Sequence, residues 1–207
     1  MTKRYLTIDD EYDIMFVMEV LCMDLKNEFI RVATDNIERS GLTGLMQWLE
    51  STDFYTAPAS SRFHSCFEGG LVAHSLNVYF QLKRLCNWFA CDASDESIAI
   101  VSLFHDLCKV GCYKTEMRWR KDQNNQWEQY ATWKFDEDFA YGGHGAKSVF
   151  LVQSFMKLTP GEASAINCHM GQWDATTYSN PTEVYSRNKL AWLLHVADEA
   201  ADFLMES

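Results

Sequence analysis

The segments LVAHSLNVYFQLKRL (residues 71–85) and SIAIVSLFHDLCKVG (residues 97–111) set the architecture. In the first, Leu71, Leu76, Tyr79, Leu82 and, further on, Trp88 lie along one helical stripe, which predicts a core helix from Leu71 to Ala90 after Gly69-Gly70. The second is largely apolar and predicts a helix that begins near Ser94-Asp95, runs through Lys109 and stops at Gly111. Both are core-forming.

Working outward, Ile14, Val17, Met18, Leu21 and Leu25 recur at helical spacing and predict an amphipathic opening helix from about Ile8 to Glu38. A shorter helix follows Thr43 and ends before Ala57-Pro58. Between Tyr113 and Phe135, KTEMRWRKD and QWEQYATWKF are rich in strand-forming aromatics and meet at Asn124-Asn125, which predicts a β-hairpin insertion. Helical periodicity returns from His144 to Lys157. Thr159-Pro160-Gly161-Glu162 has a capping threonine, proline at the first helical position and glutamate at the third, announcing a helix to about His169. A last helix spans about Thr182 to Met205. The expectation is one mainly α domain over 1–207, a helical bundle with a small hairpin at about 113–135 and a helical N-terminal extension, 1–60, packed on a core at 62–204.

Composition narrows the function classes. The 207 residues carry 18 basic and 29 acidic side chains, a net charge of −11, which argues against an extended nucleic-acid surface. The seven cysteines are odd in number and contain no C-x-x-C pair, so neither a disulfide framework nor a thiolate zinc site is indicated, and a cytoplasmic location is expected. The N-terminus turns acidic where a signal peptide would need an apolar run, and nowhere do 18 apolar residues run together, so neither secretion nor membrane spanning is expected.

The chemistry sits in histidines and aspartates placed inside apolar helices. His105 and Asp106 flank one edge of their helix, and Lys109, four residues after His105, brings an ammonium to the same place. Alone, the His-Asp dipeptide would read as an ordinary hydrogen-bonded pair. Asp198, however, lies in LLHVADEAAD among apolar neighbours, where an unpartnered carboxylate would cost several kcal/mol. A divalent cation shared with His74, His105 and Asp106 would serve as its partner.

The order H…HD…D resembles the HD-domain metal-dependent phosphohydrolases. The resemblance extends over HSCFEGGLVAHSLNV (64–78), LFHDLCKVG, GGHGAKSV (142–149), INCHMG (166–171), YSNP (178–181) and LLHVADEAAD (193–202), and is nearest to a bacterial 3′-to-5′ exoribonuclease branch. It implies that His74, His105, Asp106 and Asp198 bind a first metal and that Asp106 bridges to a second held by His144 and His169. Where relatives often read His-His-Gly, this chain reads His169-Met170-Gly171, one ligand fewer. His64 is expected on the substrate side, in contact with phosphate or a metal-bound water. His195, three residues before Asp198, is expected to support the site by a hydrogen bond, although core packing would explain it nearly as well.

Imidazole and carboxylate ligands suit Mn, Fe, Co, Ni or Zn ions better than Mg or Ca. Two such ions would activate a bridging water and neutralise phosphate charge, with Asp106 and Lys109 as the catalytic side chains and Lys109 and Lys147 placed to hold phosphate oxygens. A solvated helix face is the plainer reading of Lys147. The exoribonucleases of this resemblance carry an additional nucleic-acid-binding domain, whereas the first 60 residues here read as helices, so the expected substrate is a nucleotide or short oligonucleotide. Arg118, Trp119, Arg120, Lys121, Trp127 and Trp133 in the hairpin are candidates to stack on a base and contact phosphate, against plain cross-strand pairing, and Trp173 in the loop after His169 is a candidate for the pocket rim. The same motif order occurs in di-iron oxygenases, and a non-catalytic nucleotide-binding module is the third reading.

Overall fold

The computed structural model describes residues 25–61, 65–137, 142–173 and 181–206. It is mainly helical with one two-stranded antiparallel sheet. Helix α1 (Leu25–Asn36) buries Phe29, Val32 and Ala33 at i, i+3 and i+4. The predicted residues 8–24 of this helix lie outside the described part. Helix α2 (Leu42–Glu50) buries Leu45 and Leu49. Helix α3 (Gly70–Trp88) presents a broad buried face from Leu71 to Cys86, and His74 is part of it.

Helix α4 (Asp95–Phe104) is the centre of the molecule. Ser94 caps it by accepting from the Ser97 amide, and every residue from Ile98 to Phe104 is buried. Helices α1 and α3 pack against it. The helix stops five residues earlier than expected, because Asp106 takes φ −108°, ψ 22°, and Leu107–Lys109 form a separate 3-10 turn. His105 and Asp106 thus leave the helix end together instead of winding along its side.

The hairpin occurs where the aromatics predicted it: β1 (Tyr113–Lys121) pairs with β2 (Trp127–Phe135), with Met117 opposite Ala131. Asn125 adopts φ 61° in the turn, a left-handed conformation that asparagine tolerates well. By strand alternation Met117, Trp119, Trp127, Trp133 and Phe135 share one face. The basic residues are largely occupied locally: Arg118 pairs with Glu116, Arg120 with Glu128 at 2.7 Å, and Lys121 lies over the Trp127 ring. Contacts within and across the strands therefore occupy these three basic side chains.

Helices α5 (His144–Gln153) and α6 (Pro160–Asn167) pack on each other, and α6 begins with the predicted capping box: Thr159 Oγ1 accepts from the Glu162 amide, and Glu162 accepts from the Thr159 amide. The expected last helix is two. Asn188, at φ −130°, ψ 97°, separates α7 (Pro181–Arg187) from α8 (Lys189–Ala200). Its side chain accepts from the Ala191 amide and donates to the Gly161 carbonyl, so one residue caps α8 and ties it to α6. Helix α8 packs on α3 and α6 and continues into a π-helical turn, Ala201–Met205. No helix among the described residues is long and apolar enough to cross a membrane.

A charged network locks the outer side of the bundle. Arg39 bonds Glu162 at 2.5 Å and Glu96 at 2.9 Å, and Ser97 Oγ donates to Glu162 at 2.7 Å. Burial alone would raise the Glu162 carboxyl, but the Arg39 bond, with Thr159 and Ser97, holds it below its usual 4.5. Its stabilisation is therefore complete above that value and lost as pH falls through the lowered one. Arg39→Met is expected to cost about 3 kcal/mol at neutral pH, since it leaves a buried carboxylate short of its main partner. In thermal melts across pH 3 to 7, the gap between variant and parent should narrow on the acid side; a gap independent of pH would show that the ion pair is not its source.

Candidate metal centre

Two helix faces and two helix ends deliver the site. His74 comes from the buried face of α3, His105 and Asp106 from the end of α4, His169 from just beyond α6, and Asp198 from the buried face of α8. Their polar atoms meet at short range. His74 Nε2 stands 3.1 Å from Asp198 Oδ1 and 3.2 Å from His105 Nε2, and His105 Nε2 is 3.4 Å from Asp198 Oδ1. Asp106 faces both ways: Oδ2 is 3.6 Å from His74 Nε2 and 3.5 Å from His105 Nε2, while Oδ1 is 3.4 Å from His169 Nε2.

The ring orientations are held from behind. The Nδ1–H of His105 donates to the Ser102 carbonyl at 2.8 Å, and that of His169 to the Ile166 carbonyl at 2.7 Å. A carbonyl only accepts, so in both rings the proton is assigned to Nδ1 and the Nε2 lone pair faces Asp106 and Asp198. His74 turns Nδ1 toward Glu206 Oε1 at 3.2 Å and Asp202 Oδ1 at 3.4 Å. Glu206 is itself held by Ser65 Oγ at 2.5 Å and Asn77 Nδ2 at 2.9 Å. This carboxylate support behind His74, built by the π turn, was not anticipated, although Asp198, Asp202 and Glu206 recur at four-residue intervals.

Electrostatics match the geometry. Burial alone would raise Asp106, but the Lys109 ammonium foremost, with His105 and His169, holds it well below the usual carboxylate range. His105 and His74 do the same for Asp198. Burial would depress His74, but its bonds to Asp198 and Glu206 raise it to about 10. Asp202 is pushed up to about 7 by burial, while Glu206, bonded to His74, stays at about 2.

These residues fit a divalent cation. Metal–nitrogen bonds of about 2.1 Å place neighbouring ligand atoms roughly 3.0–3.4 Å apart. The His74, His105 and Asp198 atoms are spaced at 3.1, 3.2 and 3.4 Å. His169 Nε2 is fully buried, aimed at Asp106 and without a hydrogen bond, an unmet acceptor in the interior. The His74–His105–Asp198 and His105–Asp106–His169 groups, all buried, could each hold a metal ion, and Asp106 with Cys108 and His144 forms a third, less buried trio.

Every described residue expected at the metals is thus gathered at one place. His144 opens α5 with Asp106 in reach, and Gly145 is why: a Cβ there would stand 2.3 Å from the Asn167 carbonyl oxygen. That backbone contact seats α5 against the turn carrying His169. Gly145→Ala is expected to cost roughly 1–3 kcal/mol by overpacking and to weaken metal retention, measured by chemical denaturation and by metal content after dialysis. Parental values for both would show that the contact does not position His144. Cys108 does not act as a thiolate here: burial and the Asp106 charge push its thiol well up.

Lys109 reaches the site by a different route from the one expected. With α4 ended, it no longer shares a helical face with His105; the 3-10 turn brings its Nζ to Asp106 Oδ2 at 2.6 Å, and the pair is buried. Lys147 is held by Glu137 at 2.6 Å and by Cys112 Sγ at 3.2 Å. His195 donates from Nδ1 to the His169 carbonyl at 2.7 Å, so it supports the backbone at His169. His64 lies outside the described residues.

Comparison with protein-family models, with curated proteins and with solved structures gave no match.

Proposed function

We propose that this chain is a metal-dependent phosphohydrolase of the HD type that cleaves a phosphate ester of a nucleotide or short oligonucleotide. The observation that carries the proposal is the convergence of three imidazole Nε2 atoms on two buried carboxylates, one of which bears a buried lysine. His74, His105, Asp106 and Asp198 would hold one ion; His144 and His169, with Asp106 between, would hold another. Mn, Fe, Co, Ni or Zn held there would supply a water acidified toward neutrality and positive charge for the phosphoryl oxygens.

The chain's own contributions follow from its contacts. Asp106 presents one oxygen to each set of histidines, which keeps the two positions in register. Lys109, held protonated against burial by Asp106, contributes a fixed positive charge where negative charge builds during ester cleavage. The backbone bonds to Nδ1 of His105 and His169 and the carboxylates behind His74 prevent ring rotation, so the ligands need little reorganisation. Lys147, tied to Glu137, would have to exchange that partner for a phosphate oxygen.

The test is turnover by metal-stripped protein reloaded singly with Mn, Ni, Fe, Co or Zn, across phosphomonoesters, phosphodiesters and nucleoside triphosphates. Metal-dependent phosphate or nucleotide release is expected. Absence of product across the panel would overturn the hydrolase reading. Oxygen consumption by anaerobically purified iron protein would replace it with an oxygenase. Nucleotide binding without turnover would replace it with a sensing module.

A further inference from the structure

A cavity of about 520 Å³ opens beside the turn that carries His169. Four of its lining residues carry rings, Trp173, Tyr185, Trp192 and His195, and Gln172 and Thr182 add polar groups. Tyr185 and His195 stack at 5.4 Å with 12° between their planes, and Trp192 closes the corner at 5.3 Å from Tyr185 and 5.7 Å from His195. Trp173 lines the same cavity, is 77% exposed, and contacts no aromatic or cationic partner among the described residues.

The corner is built around the metal-bearing turn. Tyr185 Oη donates to the Cys168 carbonyl at 2.6 Å and His195 Nδ1 to the His169 carbonyl at 2.7 Å. Gly171, at φ 58°, admits both rings: a Cβ there would stand 3.0 Å from His195 Cε1 and 3.4 Å from Tyr185 Oη. Since Nδ1 carries the proton to the His169 carbonyl, His195 is left with Nε2 as an acceptor at the cavity wall. The volume suits a small molecule, and flat aromatic walls with one hydrogen-bonding ring edge suit a planar heterocycle better than a sugar or an alkyl chain.

We propose that this cavity is the base-binding subsite of the enzyme. A nucleobase stacks against Trp173 and the Tyr185–His195–Trp192 corner, and His195 Nε2 accepts from an amino or ring N–H group of the base. His195 lies three residues before Asp198 on α8, a rise of about 4.5 Å, so a base here sits within a nucleotide's reach of the metal cluster. The inference deepens the hydrolase reading and rests on it only for where the phosphate goes.

Nucleoside binding tests the subsite without turnover. Metal-stripped protein is titrated with adenosine, guanosine, cytidine and uridine, followed by tryptophan fluorescence and equilibrium dialysis. Saturable binding of at least one nucleoside is expected, with Trp173→Ala weakening it about tenfold, within the range for one lost stacking partner, and Trp173→Phe retaining most of it. In metal-loaded protein, the preference for the matching nucleoside monophosphate over ribose 5-phosphate should fall by a similar factor in Trp173→Ala. Failure of all four nucleosides to bind, or equal binding by parent and Trp173→Ala, would overturn the subsite even if phosphate esters are hydrolysed. Nucleoside binding that follows the Trp173 series without any hydrolysis would uphold the subsite and overturn the hydrolase reading.

Discussion

Asp106→Asn is expected to abolish turnover while leaving the fold in place. The substitution keeps volume and one acceptor oxygen for Lys109, but removes the charge that faces His74 and His105 through one oxygen and His169 through the other. On the proposed function, losing that shared ligand would remove several kcal/mol of charge stabilisation from the transition state. At about 1.4 kcal/mol per decade, the drop in kcat is about a thousandfold or more. Asparagine is the better choice over alanine, since alanine would also leave the Lys109 ammonium buried without its partner. Steady-state kinetics with circular dichroism as a folding control decide the matter; a folded variant within tenfold of parental kcat would remove Asp106 from the centre of the mechanism.

Metal binding should also show in stability, independently of any substrate. An ion held by His74, His105, Asp106 and Asp198 would join α3, the end of α4 and α8, which at this point meet through imidazole–carboxylate and imidazole–imidazole contacts. At free metal a hundredfold above Kd, linkage adds about 2.7 kcal/mol, which for a chain of this size raises Tm by roughly 5–10 °C. Differential scanning calorimetry of stripped protein with Mn, Ni or Zn measures it. Asp198→Asn should lose most of the shift, because its carboxylate stands within 3.4 Å of both His74 and His105. An equal shift in parent and variant would place the ion elsewhere.

Much of the fold was legible because it is locally encoded. The hairpin followed from aromatic alternation around Asn124-Asn125, and the start of α6 from Thr159-Pro160-Gly161-Glu162, since a capping box satisfies backbone groups within four residues. The errors fell where a local pattern could continue but tertiary contacts broke it. Residues 105–109 carry no proline or glycine, so periodicity runs the helix through Lys109; in the fold Asp106 leaves helical geometry and pairs with that lysine. Thr182 to Met205 likewise reads as continuous, yet Asn188 breaks it because its side chain serves α6 and α8 together.

The same division holds for the site. The sequence by itself marked the candidate ligands: a carboxylate set among apolar residues needs a partner in the interior, a need legible at Asp198 with His74, His105 and Asp106, while His144 and His169 followed from the HD-domain resemblance. It also determined that Trp173 follows closely on His169. Which oxygen of Asp106 faces which imidazole, that Lys109 lies on Asp106, that Glu206 stands behind His74, and that His195 bonds the His169 carbonyl were decided by the tertiary structure alone. Each of these depends on helix ends and crossings between segments up to 132 residues apart. Periodicity can say that a side chain points inward, but distance and orientation within the interior are set by how the helices pack.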